Sequence, residues 1–363
     1  MGLKAKHIAI ICNYELLEDR VGGMDHFFWN FNKICNEKQI MIDWFFPNLA
    51  SHGEYDKFNI IPCPKHLSLE KNFLNHSRAN NTQYSHIITH FIELCTYFFA
   101  EIKKHQKAKI IAVDHNPRPL KGYTLKKQLK KRLKGILYSK HIDKFIGVSE
   151  YTSRAILKDF GSFLKRKIQT VYNGVLIDEI IPKVDERRKI NPRFLVVSHL
   201  RYSKGIQDLI EAVNILPDFI KNNLVIDVYG AGPYEDVLKA KVNTLLLASV
   251  FSFKGSVSNL NEVYCKYDYM LLPSHMECFS LAILESLAAN IPVIASNVGG
   301  NEEAITHGEN GYIFKAKDIS ALKEIIETVF LGNEQIKINT RTLIKESFSI
   351  DTMIKKHIEL IRF

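Results

Sequence analysis

The sequence predicts an α/β protein made of two doubly wound lobes, each with its own parallel sheet. Its 363 residues exceed a typical single domain and suffice for two separate cores. In both halves short apolar runs alternate with amphipathic, helix-length segments, the pattern of strand, helix, strand units in parallel sheets. The 46% hydrophobic and 24% charged residues exclude a disordered protein. The six cysteines form no C-x-x-C pair, which predicts a reducing, cytoplasmic setting and no structural metal.

The first lobe begins with a predicted strand, a glycine turn and a helix. His7 to Cys12 is an apolar run typical of a buried strand, and Met24 to Asn36 is amphipathic. Between them lie Gly22 and Gly23, and two adjacent glycines allow a ligand to approach the backbone closely. A plain turn is the alternative interpretation. Met41 to Phe46 predicts the second strand.

The middle of the first lobe is less regular. Residues 48–85 are rich in Asn, His, Ser and Pro and predict variable loops, whereas residues 84–105 are helix-like. Lys109 to Val113 predicts a strand that leads into Asp114 and His115. Ligands of doubly wound sheets bind beyond the carboxyl ends of the strands, so one of these two side chains is a candidate contact, with His115 the candidate general base. A histidine that is hydrogen-bonded in a turn is the alternative.

Residues 124–140 predict a basic amphipathic helix. Six Lys or Arg residues lie between four leucines at four-residue spacing: Leu125, Leu129, Leu133 and Leu137. The net charge of +10 arises in residues 1–180, which hold 28 Lys and Arg against 17 Asp and Glu, whereas residues 181–363 hold 21 against 22. This pattern favours contact with an anionic membrane surface; the alternative is a solvated surface helix that docks through its leucines. Aromatic residues do not interleave with the basic ones, so no nucleic-acid partner is predicted.

The second lobe begins with a predicted strand, Phe194 to Ser198, and a basic loop that leads into a helix from Ile206. Cations beside a helix start suit a diphosphate, and the loop supplies His199, Arg201 and Lys204. Two further predicted strands end at glycines, Gly230 and Gly255. Taken alone, Gly230 would be an ordinary strand-to-helix turn.

Two glutamates lie eight positions apart in the most informative stretch of the chain. Tyr269 to Leu272 predicts a buried strand, which places Glu277 in the following loop; an exposed loop acid is an equal alternative. A helix is predicted from Leu281 to Ala289. The first-turn amides of this helix suit a phosphate and belong to Cys278, Phe279, Ser280 and Leu281. Glu285 lies within this apolar helix, where a buried carboxylate needs a partner such as a pair of bound hydroxyls; a solvated helix charge is the alternative.

The stretch PSHMECFSLAILESLAANIPVIASNVGGNEE, residues 273–303, resembles the donor site of family 4 glycosyltransferases of the GT-B fold. In that family two glutamates eight apart bracket a helix start, and a Gly-Gly-x-x-Glu follows. The resemblance covers residues 194–315 motif by motif and the first lobe only by architecture. It implies two Rossmann-like lobes facing a cleft, an acceptor-binding domain at 1–178, a donor-binding domain at 179–345, and a C-terminal helix within 346–363 that packs back on the first domain.

The resemblance also implies a role for each site residue. Glu277 holds the donor sugar, Glu285 holds the ribose hydroxyls, and Lys204 neutralises the departing diphosphate. His199 stands where the family has arginine, and Arg201 is predicted to replace that guanidinium. The remaining donor-binding positions are Gly22, Gly23, Gly230, Gly255 and the amides of Cys278, Phe279, Ser280 and Leu281. His115 is expected to contact the sugar or activate the acceptor hydroxyl.

These patterns together predict a retaining hexosyltransferase resembling bacterial envelope polysaccharide enzymes. Its donor would be a nucleotide-sugar, with UDP favoured over GDP, and its acceptor a lipid-linked glycan. The expected location is the inner face of the cytoplasmic membrane, in lipopolysaccharide or capsule biosynthesis. Neither a metal nor another cofactor is expected. The alternatives are a catalytically silent GT-B partner subunit, prompted by His199, and a nucleotide-sugar epimerase.

Overall fold

The computed structural model describes residues 6–18, 21–184 and 190–362, which divide into two α/β units. The first unit contains the described chain up to Asn116, Lys121–Asn173 and the chain from Asp351 onward. The second unit contains Pro117–Leu120 and the described part of Gly174–Ile350. Apart from the short excursion at Pro117–Leu120, the chain changes unit after Asn173 and again after Ile350. None of the helices in the described ranges is both long and apolar enough to cross a membrane.

The described part of the first unit has a seven-stranded parallel sheet in the order β3-β2-β1-β4-β5-β6-β7. Its strands are β1 His7–Cys12, β2 Met41–Phe46, β3 Asn59–Pro62, β4 His86–His90, β5 Lys109–Asp114, β6 Lys144–Gly147 and β7 Ile168–Thr170. The helices between them are α1 Gly23–Glu37, α2 Leu69–Ala79, α3 Tyr97–His105, α4 Leu125–Tyr138 and α5 Glu150–Phe160. Because all the strands are parallel, their carboxyl ends share one edge, where ligands of such sheets bind.

The described part of the second unit has a six-stranded parallel sheet in the order β10-β9-β8-β11-β12-β13. Its strands are β8 Arg193–Val197, β9 Val225–Tyr229, β10 Phe251–Gly255, β11 Tyr269–Leu272, β12 Val293–Ser296 and β13 Gly311–Phe314. The longer helices are α6 Ile206–Asn214, α8 Glu235–Thr244, α10 Leu281–Ala288, α12 Ile319–Phe330 and α13 Arg341–Ser347; the single turns are α7 Asp218–Lys221, α9 Leu260–Val263 and α11 Asn301–Ala304. The last helix, α14 Ile350–Leu360, lies almost wholly in the first unit.

Two predictions for the first lobe are wrong. Residues 48–85 are not only loops, because they contain β3 and α2, whose first turn is capped by the Ser68 hydroxyl accepting from the Lys71 amide at 3.3 Å. Residues 84–105 are not one helix, because they contain β4 and then α3. All five residues of β4, His-Ile-Ile-Thr-His, are buried between β1 and β5, so apolar and polar residues do not alternate along the strand. A strand buried on both faces has the same local pattern as a buried helix.

Candidate active site

Lys204 and Glu277 meet at the carboxyl edge of the second sheet. Lys204 follows β8 and Glu277 follows β11, the neighbouring strand, so residues 73 positions apart in the chain become adjacent. The Lys204 Nζ lies 2.6 Å from Glu277 Oε1, and the Ser274 hydroxyl donates to the same oxygen at 2.8 Å. Both members of this ion pair are mostly shielded, with 24% and 10% of their side chains exposed. The pair is a charged, pre-positioned centre rather than a surface contact.

Glycine backbones clamp the Glu277 loop from two sides. Gly205 has a φ of +70° and passes so close to Pro273 that a Cβ there would lie 1.8 Å from the Pro273 carbonyl oxygen. Gly299 has a φ of +63°, and its Cβ would lie 2.3 Å from the Glu277 carbonyl oxygen. Only glycine combines left-handed backbone with this approach. The Lys-Gly and Gly-Gly pairs of the sequence therefore fix the position of Glu277.

A buried histidine, His275, links the loop after β11 to the loop after β8 and to a half-buried aspartate on α6. His275 donates its backbone N–H to Ser203 O at 2.8 Å, and its Nε2 lies 2.6 Å from Asp208 Oδ2 on α6. The His275 side chain is only 6% exposed. Sequence reasoning missed this pair because nothing local in the sequence links a loop histidine to an aspartate 67 positions away.

The start of α10 lies beside Glu277. Ser280 is its N-cap residue and makes no side-chain cap hydrogen bond within the described chain, so its hydroxyl does not satisfy the first-turn amides. Ser280 and Leu281 are half-buried, whereas Cys278 and Phe279 are buried. A ligand at the start of α10 would therefore meet the backbone of Cys278 and Phe279 and not their side chains.

Glu285 lies one turn further along α10. The Tyr264 hydroxyl donates to Glu285 Oε2 at 2.8 Å. Desolvation raises the pKa of Glu285 to about 7, although the Tyr264 hydrogen bond acts in the opposite direction. Sequence reasoning expected a ligand as the partner of this carboxylate, and the structure adds Tyr264, which no motif indicated. The carboxylate keeps further acceptor capacity for hydroxyl groups.

The other predicted donor residues lie at the same edge of the second sheet. Gly230 has a φ of +116°, and its N–H donates to Gly255 O at 2.8 Å, so the two glycine turns are adjacent. His199 and Arg201 are exposed in the loop after β8, where Arg201 N–H donates to His199 O at 2.8 Å and Lys204 N–H donates to Arg201 O at 2.9 Å. Hydrogen bonds between backbone groups of the loop therefore fold it into tight turns.

In the first unit, Gly22 immediately precedes α1, which begins at Gly23. The Gly22 N–H donates to Asp25 Oδ2 at 2.9 Å, so this amide is taken by a carboxylate within the chain. Asp25 is fully buried and also accepts from the hydroxyls of Tyr14 at 2.8 Å and Tyr55 at 2.6 Å. The beginning of α1 therefore already holds a carboxylate.

His115 lies at the carboxyl edge of the first sheet, immediately after β5. Its Nε2 lies 3.0 Å from Nδ1 of the buried His90, and its ring stacks on Phe91 at 4.2 Å. Desolvation lowers the pKa of His115 to about 3 and also lowers that of His90 well below its usual value, so both rings are neutral near pH 7. Asp114 is buried, and its Oδ1 accepts from the Asn116 backbone at 3.0 Å, which leaves His115 as the half-exposed residue of the two. No group of three or more potential metal ligands is arranged to hold an ion within the described chain.

Residues 178–343 match the family model for glycosyl transferases group 1. The predicted resemblance to glycosyltransferases is confirmed over this part of the chain. N-acetyl-alpha-D-glucosaminyl L-malate synthase of Bacillus anthracis is 29% identical over 168 residues, 44% of this chain and 43% of the relative. The chain matches about half the length of the first curated relatives, between 43% and 54%.

Two solved structures share the fold over nearly the whole chain. Anabaena HepE, solved in complex with UDP, aligns with a TM-score of 0.73 at 16% identity, covering 98% of this chain and 99% of that one. The lipopolysaccharide outer core galactosyltransferase WaaB aligns with a TM-score of 0.71 at 18% identity, with coverage of 98% and 99%. The predicted α/β, GT-B fold is thereby confirmed.

Proposed function

We propose that the chain is a retaining glycosyltransferase that moves a hexose from a nucleotide-sugar to a glycan. The observation that carries this proposal is the Lys204–Glu277 ion pair, 2.6 Å long, beside the start of α10 and one turn from Glu285. The diphosphate of such a donor needs a cation and backbone amides, and its sugar and its ribose each need a carboxylate. UDP is the favoured nucleotide of the donor, since the HepE structure contains UDP, and GDP is second.

In the proposed mechanism, binding of the donor breaks the contact between Lys204 and Glu277 and gives each side chain a new partner. Diphosphate oxygens replace Glu277 at the Lys204 ammonium and accept from the amides at the start of α10. Glu277, still held by Ser274, then accepts hydrogen bonds from the sugar hydroxyls. As the glycosidic bond breaks, negative charge grows on the leaving diphosphate, where Lys204 and the amides stabilise it without a metal. Retention of the anomeric configuration is carried over from the family resemblance.

Glu285 and Tyr264 serve the nucleoside in this proposal. Ribose hydroxyls donate to the carboxylate, and the Tyr264 hydroxyl keeps the carboxylate oriented at 2.8 Å. His115 is assigned to the acceptor hydroxyl as a hydrogen-bond acceptor, because its ring is neutral near pH 7, whereas its pKa of about 3 makes it a weak base for removing the proton.

The nucleotide site can be tested by thermal shift against UDP, GDP, CMP and ADP. One nucleotide should stabilise the protein, by about 2.7 kcal/mol at a hundredfold excess over its dissociation constant. Glu285→Ala should abolish the shift, and the exposed Glu302→Ala should keep it. A shift with none of the four would reject the donor site and favour the silent-partner alternative. Turnover of the donor without any acceptor would favour an epimerase.

We further propose that α4 contacts an anionic membrane, which would fit a lipid-linked acceptor at the inner face of the cytoplasmic membrane. The alternative, a surface helix that docks through its leucines, disagrees with the exposure of Leu125, 78%, and Leu129, 71%. The helix instead approaches α5 through Gly135, where a Cβ would lie 2.1 Å from the Phe160 carbonyl oxygen. The exposed side of α4 therefore carries apolar side chains among basic ones, which is the composition of a membrane-surface helix.

Vesicle flotation tests this contact. Replacing Lys126, Lys127 and Lys130 with Gln should weaken binding to anionic vesicles by roughly 100-fold, since each basic residue near the surface contributes about 1 kcal/mol. A control removes the same charge from the exposed Lys239, Lys266 and Lys345 of the second unit and should leave binding unchanged. Equal loss in both variants would show that only net charge matters, and no binding by the unmodified protein would remove the proposal.

A further inference from the structure

Three half-exposed aromatic rings form a row along the carboxyl edge of the first sheet. Tyr14 follows β1, Phe91 follows β4 and His115 follows β5, and these three strands are neighbours. Ring centroids of Tyr14 and Phe91 are 5.8 Å apart, and those of Phe91 and His115 are 4.2 Å apart with an angle of 19° between their planes. We name these three residues the aromatic strip.

We propose that the aromatic strip binds a neutral sugar ring of the acceptor, with Phe91 as its central stacking residue. This inference rests on the glycosyltransferase activity proposed above and names the substrate class that the first unit recognises.

The backbone at Phe91 is the first argument for a binding role. Phe91 has a φ of +57°, in the left-handed region that a bulky side chain rarely adopts. The next residues of the loop are buried in the core, with Ile92 3% and Leu94 2% exposed, whereas Phe91 remains half-exposed. Burial of the ring therefore does not account for its strained conformation, and strain of this kind concentrates at functional sites.

Both ends of the strip are held by buried polar groups. The Tyr14 hydroxyl donates to Asp25, which is fully buried and anchored by two further donors. At the other end His115 Nε2 pairs with His90 Nδ1 at 3.0 Å, and His90 is 1% exposed. The outer two rings are thus fixed before any ligand arrives, which reduces the entropy lost on binding.

The chemistry of the strip fits a sugar better than an anion. A pyranose has an apolar C–H face that packs on an aromatic ring and hydroxyls at its rim that need a few oriented polar groups. Phe91 offers the ring, and the half-exposed imidazole of His115 lies beside it with its centroid 4.2 Å away. The buried carboxylate of Asp25 beneath Tyr14 opposes a phosphate at this place. Burial also keeps His90 and His115 uncharged near pH 7, so the strip offers an anion no counter-charge.

Saturation-transfer NMR with methyl glycosides of glucose, galactose, mannose and N-acetylglucosamine tests the inference. At least one glycoside should receive saturation on its ring protons. The signal should fall at least fivefold in Phe91→Asn, which tolerates left-handed backbone, and in Tyr14→Leu at the end of the strip. Phe163→Asn removes another exposed aromatic ring of the same unit, 58% exposed, and should keep the signal.

A parallel thermal shift with the nucleotide that stabilises the unmodified protein separates the two proposals. The shift should be unchanged in Phe91→Asn and Tyr14→Leu, which also shows that both variants fold. Three results would each overturn the strip as an acceptor site. The saturation signal could persist in both variants, or no glycoside could give a signal with the unmodified protein. The variants could also lose the nucleotide shift together with the sugar signal. Loss of the sugar signal in the variants of a protein that binds no nucleotide would support the strip while rejecting the proposed donor chemistry.

Discussion

The carboxyl edges of the two sheets are built from opposite kinds of side chain. In the second unit the edge is charged, with Lys204 and Glu277 paired at 2.6 Å and Glu285 held by Tyr264. In the first unit the half-exposed rings of Tyr14, Phe91 and His115 line up along the edge, and the carboxylates of Asp25 and Asp114 beside them are buried. The same parallel topology thus supports a site suited to a diphosphate and a site suited to an uncharged ring. The difference arises in the loops that follow the strands and not in the sheets.

Removing the charge at the second edge should produce the largest effect. Lys204→Met leaves the leaving diphosphate without its cation, so the rate of nucleotide release from the selected donor should fall by roughly 10²–10³-fold, as for loss of one electrostatic stabiliser. Lys239→Met removes an exposed lysine of the same unit and should change the rate less than twofold. If the rate falls less than fivefold in Lys204→Met, the Lys204 charge does not stabilise the leaving diphosphate.

The clamp around Glu277 should be the next most sensitive feature. In Gly205→Ala the new Cβ meets the Pro273 carbonyl oxygen, so the free energy of unfolding should fall by about 3 kcal/mol, in the upper range for single substitutions. Gly308→Ala is the matched control, since Gly308 also has a positive φ, +80°, but nothing within 4 Å of the added Cβ. It should cost only about 1 kcal/mol, the backbone part alone. Equal losses in urea titrations of the two variants would show that the close approach to Pro273 has no separate energetic role.

The two edges also differ in how much of them the sequence could predict. The second edge depends on charged residues and glycines within short motifs, so the resemblance to the glycosyltransferase family predicted Lys204, Gly205 and Glu277 there. The helix-like prediction for residues 84–105 missed β4 and with it the pairing of His90 with His115, because a fully buried strand lacks alternation. Partners such as Tyr264 and Asp208 were missed for a related reason: they meet their carboxylate or imidazole through the fold, many positions away in the chain.

The His275–Asp208 contact offers a smaller test of how the charged edge is held. Single changes to Asn at either position should each lower the free energy of unfolding, and the double variant should lose about 2 kcal/mol less than the sum, as expected for directly coupled groups. Urea titrations of the four proteins give this coupling. If the pair also positions Lys204 and Glu277, His275→Asn should lower kcat for donor turnover more than it raises KM. Additive losses would reduce the pair to two independent packing contacts.

The smallest expected effect is a pH dependence confined to the second edge. Because the pKa of Glu285 is raised to about 7, part of the free protein carries a protonated Glu285 at neutral pH. Ribose hydroxyls bind the carboxylate form, so binding releases a proton, and affinity should fall as pH drops below 7, by up to about tenfold per unit. Calorimetric titrations of the nucleotide in buffers of different ionisation enthalpy measure this proton directly.

Two variants test the direction of this pH dependence of nucleotide affinity. Tyr264→Phe removes the hydrogen bond that lowers the pKa of Glu285, so that pKa should rise and the loss of affinity should begin at higher pH. Glu285→Gln should bind the nucleotide weakly, and its affinity should not depend on pH in this range.

The same raised pKa means that the folded state binds this proton more tightly than the unfolded chain does. Glu285 therefore lowers stability as pH rises from about 4.3 towards 7, and the Gln variant should lose that slope. A flat binding profile in the unmodified protein would place the ribose elsewhere and leave Glu285 as a structural partner of Tyr264.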